Sequence, residues 1–262
     1  MGIVGLGAIG SFLIENLAGE KHVQVTSGSD TDSQRREKIR QNYPDLFITD
    51  DYTNFPDDTD VIVEAAHQQV ADDIARWAIE KGKTVIIASV GGLGDIRPLR
   101  RLARQTGGHL FIPSGAIAGL DALKAIPSDS IRRVSITTTK NPSKFAGSKY
   151  ILDQGIDLSG LEGPTVIFEG TAGEAVQAFP RNINVSAVLS YAGIGRSRTN
   201  VTVIADPGIS VNRHQISIES DHGNVQISVD NVPFEVNPRT SRLAAFSILA
   251  AVKSLVYTIT IG

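Results

Sequence analysis

The chain lacks several features, and each absence excludes a class of site, partner or protein. Its 262 residues include no cysteine, which excludes disulfides, thiolate metal sites and cysteine nucleophiles. A formal net charge of −3 gives no reason to expect a nucleic-acid partner. No apolar stretch is long enough to cross a bilayer, and Met1 opens a strand rather than a signal peptide. With 41% hydrophobic residues, the sequence predicts a soluble, cytoplasmic protein with a sizeable core and no membrane partner.

The first ten residues place a glycine-rich turn between an apolar strand and an amphipathic helix. Gly5, Gly7 and Gly10 have the spacing G-x-G-x-x-G, with Ala8 and Ile9 between the last two. In this setting the first glycine makes a tight turn, the second lets backbone approach a pyrophosphate, and the third lets the helix pack closely. The N–H groups of the helix N-terminus attract phosphate. We therefore predict that these five residues bind a dinucleotide.

An acidic residue about twenty positions further on completes this pattern. The predicted second strand is His22–Ser27, and Asp30 follows it after Ser27-Gly28-Ser29, which we expect to be a loose loop. A carboxylate there accepts the ribose hydroxyls and repels a 2′-phosphate, and no arginine stands directly beside it. We expect NAD, with NADP left open because the loop could flex; a turn-forming Asp30 is the alternative. A basic cluster follows and is expected to be a solvated helix face: Arg35, Arg36, Lys38, Arg40.

The pattern of elements divides the chain into two domains. Strands and helices alternate through residues 1–112, which predicts a Rossmann-type doubly wound parallel sheet that binds NAD(P). Residues 113–236 contain β-branched, alternating strands, which predict an α+β catalytic and oligomerisation domain with a mixed or antiparallel sheet. The fold class is therefore α/β. The alternation also favours packing on a partner's sheet, so we expect a homo-oligomer, with a dimer favoured.

The C-terminal segment, 237–262, carries one more predicted helix. Ser241–Leu255 is apolar nearly all round, and a helix of that kind is usually buried. We expect it to pack back between the two domains.

Several motifs, taken together and in order, resemble the L-aspartate dehydrogenase family over essentially the whole chain. The resemblance rests on these segments: GLGAIG (5–10), VEAA (63–66), ASVGGLGD (88–95), PSGAIAGLDAL (113–123), TTK-x-P (138–142), FPRNINV (179–185), ADP (205–207), NRHQI (212–216) and NPRTSRLAAFS (237–247). It implies NAD(P)-dependent oxidation of L-aspartate to iminoaspartate, or to oxaloacetate plus ammonia. It also implies a link to NAD biosynthesis.

Carried over position by position, the resemblance assigns three residues of the second domain. Ala118 and Asn184 correspond to nicotinamide contacts, and His214 corresponds to the catalytic histidine. An imidazole with a pKa near neutrality can take a proton from the substrate ammonium and later activate water. A strand histidine that is hydrogen-bonded at a domain surface is the alternative for His214.

The two carboxylates of aspartate need cationic or N–H partners. Lys140 is the first candidate and Arg181 the second, and either could equally be a solvated surface charge. No arrangement of histidines or carboxylates suggests a metal. The alternatives are a homoserine or dihydrodipicolinate type of dehydrogenase or reductase, or a dinucleotide-sensing protein without turnover. The sugar-alcohol group is disfavoured because no Glu-Lys-Pro segment follows the strand Thr84–Ser89.

Overall fold

The computed structural model describes residues 1–180, 184–234 and 241–259. The chain forms two compact units. The first comprises Met1–Pro113 and Ala245–Gly262, and the second comprises Ser114–Ala244. Within the described ranges, no helix has both the length and the apolar character needed to cross a membrane.

The first unit is built on a six-stranded parallel sheet in the order β3-β2-β1-β4-β5-β6. Its strands are β1 Gly2–Val4, β2 Ser27–Ser29, β3 Phe47–Thr49, β4 Val61–Glu64, β5 Thr84–Ile87 and β6 His109–Phe111. Its connecting helices are α1 Ala8–Leu17, α2 Ser33–Asn42, α3 Gln68–Glu80 and α4 Arg97–Thr106. The strand order reverses between β1 and β4, which is where ligands bind in such sheets. The predicted doubly wound sheet is confirmed.

The second strand is the main local error of the sequence prediction. The structure places β2 at Ser27–Ser29 instead of His22–Ser27, so the expected loose loop is in fact a buried strand. Parallel strands pair only as far as both extend, and β1 is three residues long. Because β2 ends at Ser29, Asp30 follows it directly at the carboxyl edge of the sheet.

The second unit contains a five-stranded mixed sheet in the order β11-β10-β7-β9-β8. Its strands are β7 Ile131–Lys140, β8 Thr165–Thr171, β9 Thr199–Ala205, β10 Asn212–Ser220 and β11 Gly223–Asn231. Only β7 and β9 are parallel to each other, and the other pairs are antiparallel. Its described helices are α5 Leu120–Ala125, α6 Lys149–Asp153, α7 Ala172–Ala178 and α8 Asn184–Ala192. The predicted α+β unit with a mixed sheet is confirmed.

The last helix, α9 (Arg242–Ser254), is less buried than its composition suggests. Its inner face joins the core of the first unit through Ile248, Ala251 and Val252. Leu243 and Phe246 are exposed, which corrects the expectation of a helix buried nearly all round. A helix against one side of a sheet buries only one stripe, whatever its other faces carry.

Candidate active site

Two glycines of the first turn are required by the backbone itself. Gly5 has φ 96°, and a Cβ there would lie 2.6 Å from backbone atoms of Ala65. A Cβ on Gly10 would lie 1.9 Å from the carbonyl oxygen of Gly5, because α1 starts directly against the turn. Neither position accepts a larger side chain without moving the strand or the helix.

Gly7 differs, because the space beside it is open. A Cβ at Gly7 would approach nothing closer than Arg35 Nη1 at 3.7 Å, an ordinary contact. Gly7 is also the N-cap of α1, and no side chain caps that helix. An uncapped helix N-terminus beside open space fits the pyrophosphate of a dinucleotide, since its first N–H groups point outward.

Asp30 connects the glycine turn to the start of α2. Its Oδ2 accepts the Leu6 N–H at 2.8 Å, and its Oδ1 accepts the Asp32 N–H at 2.9 Å. Arg35 Nη1 lies 3.3 Å from Oδ2. The expectation that no arginine stands beside Asp30 is therefore wrong.

The basic cluster lies near the carboxyl edge of the sheet because α2 begins there. Asp32 caps α2 by accepting the N–H groups of Gln34 and Arg35, which turns the first helical turn back toward Asp30. Arg36 donates to the carbonyl oxygens of Asp30 and Thr31, and Arg40 donates to that of Ile48. These hydrogen bonds connect α2 to the residues after β2 and to β3. The basic cluster is therefore not only a solvated helix face.

Glu64, the last residue of β4, is a buried carboxylate that the sequence analysis missed. It is 0% exposed; Oε1 accepts the Ala66 N–H and Oε2 accepts the Ser89 N–H, both at 2.8 Å. Burial raises the pKa of Glu64, and these hydrogen bonds oppose the rise. The side chain thereby joins the segments that follow β4 and β5. An acid closing the apolar run Val61-Ile-Val-Glu64 was the available signal.

In the second unit, His214 is held on the buried face of β10. It lies opposite Thr138 of β7, and its Nδ1 is 3.0 Å from Thr138 Oγ1. It is 1% exposed, and burial, followed by the positive charge of Lys140, lowers its pKa to about 3. The sequence predicts a pKa near neutrality, whereas the burial of His214 lowers it well below that, because the charged imidazole would lose its water there.

Lys140 shares this environment. It ends β7 two residues after Thr138, so the two side chains lie on the same face of the strand. Lys140 is 4% exposed, and burial and then Lys144 lower its pKa to about 8. It is therefore not a solvated surface charge.

The other carried-over residues lie at helix starts in the same unit. Ala118 is exposed in the turn before α5, and Asn184 is the first residue of α8. These two helices pack against each other. Arg181 lies outside the described residues.

Comparisons with known proteins agree with this architecture. Residues 121–255 match the family model of the aspartate dehydrogenase C-terminal domain, and residues 5–113 match the homoserine dehydrogenase NAD binding domain. The L-aspartate dehydrogenase of Methanococcoides burtonii is 37% identical over 270 residues, covering 100% of this chain and 98% of that protein. That of Methanosarcina mazei is 42% identical over 207 residues, covering 78% and 76%.

Solved structures show the same likeness. Aspartate dehydrogenase from Thermotoga maritima has a TM-score of 0.78 and 29% identity, covering 100% of this chain and 98% of that one. Scyllo-inositol dehydrogenase from Lactobacillus casei, with bound NAD(H) and scyllo-inositol, has a TM-score of 0.59 and 13% identity, covering 100% and 90%. The second likeness concerns the fold alone. By the family model over its C-terminal half and by relatives that match its full length, the chain belongs to the L-aspartate dehydrogenase family.

Proposed function

We propose that the protein oxidises L-aspartate with a nicotinamide dinucleotide, giving iminoaspartate, which hydrolyses to oxaloacetate and ammonia. The observation that carries this proposal is that His214 of β10 and Lys140 of β7, an imidazole and an amine, are both buried on the same face of the second sheet. Such a pair suits a substrate that must lose an ammonium proton and that carries two carboxylates. The relatives named L-aspartate dehydrogenase support the choice of substrate.

The first unit would hold the adenosine diphosphate part of the cofactor. We assign the pyrophosphate to the glycine turn, including the N–H groups of Ala8 and Ile9, and the adenosine ribose to Asp30. We assign contacts with the nicotinamide to Ala118 and Asn184. A bound dinucleotide supplies the acceptor for the hydride that leaves Cα of the substrate.

His214 is assigned the acid–base steps. With its pKa lowered to about 3 it is unprotonated at neutral pH, so a ring nitrogen is free to accept the ammonium proton, and the same burial makes it a weaker base. Once that proton has passed to solvent, the neutral imidazole can accept a proton from the water that attacks the imine. Lys140, with a pKa of about 8, is mostly protonated at neutral pH and would bind a substrate carboxylate.

For the choice of cofactor we propose that NAD is preferred and that NADP is also accepted. Asp30 favours NAD, since its carboxylate accepts ribose hydroxyls and repels a phosphate. Arg35, 3.3 Å from that carboxylate and more than half exposed, provides a cation that can turn toward a 2′-phosphate. We expect Arg35→Ala to weaken NADPH binding by roughly tenfold while NADH binding changes little, since a charged hydrogen bond has about that value.

A side-by-side fluorescence titration of NADH and NADPH measures this directly. Arg101→Ala, which removes an exposed arginine of α4, is the matched control. If Arg35→Ala lost affinity for NADH and NADPH equally, Arg35 would only maintain the loop. Tighter binding of NADPH than of NADH by the wild type would remove Asp30 from its assigned role.

The activity itself is tested by a screen of amino acids with NAD, followed by NADH absorbance. We expect L-aspartate to give the highest kcat/KM. Reduction of NAD by homoserine, but not by aspartate, would move the protein to the alternative dehydrogenase class. Tight NADH binding without turnover of any amino acid would indicate a dinucleotide sensor.

We further propose a cytoplasmic homodimer whose product could enter NAD biosynthesis, as the family resemblance implies. The alternation of apolar and polar residues along the strands of the second sheet supports an interface between copies. Light scattering coupled to size-exclusion chromatography measures the subunit number, and a monomer at assay concentrations would contradict this part.

A further inference from the structure

Asn231, the last residue of β11, holds a buried oxygen that the described part of the chain leaves without a hydrogen-bond partner. The side chain is 3% exposed. Its Nδ2 donates to the carbonyl oxygen of Ala116 at 2.9 Å, whereas its Oδ1 has no partner. Buried polar atoms are almost always hydrogen-bonded, and exceptions concentrate where a ligand or water completes the set.

The orientation of this amide follows from chemistry. If nitrogen and oxygen were exchanged, Oδ1 would face the Ala116 carbonyl oxygen, and two acceptors would meet. Asn231 therefore points a donor at Ala116 and keeps its acceptor for something else. Ala116 belongs to the segment that also carries Ala118, the proposed nicotinamide contact.

The position of Asn231 places this acceptor near the proposed base. In the β10–β11 ladder His214 is opposite Val229, and Asn231 is opposite Asn212, two residues along each strand. Directly opposite residues share a face, and such diagonal neighbours lie about 7–8 Å apart. Asn231 and His214 thus lie on one buried face at a separation that a small ligand can bridge.

We propose that Asn231 Oδ1 accepts a hydrogen bond from the amino group of the bound substrate. This assignment rests on the proposed function. An acceptor requires an N–H or O–H donor, and an amino acid provides an N–H donor at the atom that His214 must deprotonate. A neutral amide oxygen bonds the ammonium, the amine and the iminium N–H alike. A carboxylate in its place would favour the ammonium and oppose loss of its proton.

The test compares a ligand that has the amino group with one that lacks it. L-Aspartate is the substrate, and succinate, the same dicarboxylate without nitrogen, is the competitive inhibitor. In Asn231→Leu we expect KM for L-aspartate to rise roughly tenfold or more while KI for succinate stays nearly constant, because one hydrogen bond to a charged group is lost. The Kd for NADH, from fluorescence, is expected to stay near the wild-type value.

Asn231→Asp is the matched variant of the same size. A protonated aspartic acid offers one donor and one acceptor like the amide, and an ionised one still accepts. It is expected to keep the preference for L-aspartate over succinate that Asn231→Leu loses. If Asn231→Leu fails to fold, Asn231→Ala, which also removes the acceptor, replaces it and is expected to lose the preference. The readout is a ratio of two ligands, so the comparison with Asn231→Asp remains decisive.

Three results would overturn the assignment. If KM for L-aspartate and KI for succinate rose by the same factor, Asn231 would only support the Ala116 segment. A weaker NADH affinity with an unchanged ratio would place the bond on the cofactor's carboxamide instead. A wild-type protein that binds NADH but oxidises no aspartate would remove the proposed function first, and the Asn231 assignment with it.

Discussion

At the scale of single residues, His214 is the side chain on which the proposed chemistry depends. We expect His214→Ala to lower kcat by roughly a hundredfold or more, because loss of a general base usually has that effect, with the Kd for NADH unchanged. Asn184→Ala, the contrasting variant, should raise KM for NAD instead. Steady-state kinetics and NADH titration separate the two effects. If His214→Ala kept wild-type turnover, the assignment of His214 would be wrong and the interpretation as a dinucleotide sensor would be favoured again.

Gly7 allows the glycine turn to be tested without disturbing the fold. Gly7→Val should abolish NADH binding while leaving the unfolding midpoint nearly unchanged, since a Cβ there meets nothing closer than 3.7 Å. Gly163→Val is the matched control, because a Cβ at Gly163 also meets nothing within 4 Å and lies in the other unit. Calorimetry that detected normal NADH affinity in folded Gly7→Val would contradict the pyrophosphate assignment.

At the scale of secondary-structure elements, Glu64 links the segments after β4 and β5. In Glu64→Gln one of the two N–H groups that the carboxylate accepts would face an amide NH2, so one buried bond is lost. We expect the free energy of unfolding to fall by about 1–3 kcal/mol, together with weaker NADH binding. Denaturant unfolding and NADH titration measure both. The exposed Glu37→Gln in α2 is the control, and equal behaviour of the two variants would argue against a linking role.

The elements also show where sequence patterns succeed. The limits of β5 and α9, predicted as Thr84–Ser89 and Ser241–Leu255, were correct to within about two residues, because hydrophobic periodicity is a local signal. The strand β2 was misplaced, since its limits depend on pairing with the short β1. The burial of α9 was overestimated because composition does not say how many of a helix's faces find partners.

At the scale of the whole molecule, the buried imidazole makes stability depend on pH. The pKa of His214 is lowered from 6.5 to about 3 on folding, so the unfolded chain binds more protons between these values. The free energy of unfolding should therefore fall as pH falls through this window, by up to about 1.4 kcal/mol per pH unit. In His214→Gln this contribution should disappear. Denaturant unfolding at several pH values measures the difference, and identical slopes in the two proteins would contradict it.

The two sheets, the glycine turn and the family could be predicted from the amino-acid sequence, because hydrophobic periodicity and the spacing of small residues act locally along the chain. The tertiary structure alone decided that Lys140 is buried, that Arg35 meets Asp30, that the pKa of His214 lies far below neutrality, and that Asn231 keeps an unpaired oxygen. Each of these depends on which strands lie side by side, in what register, and how much water remains between them. The neighbours of a residue in sequence do not determine the strand pairing, the register or the access of water.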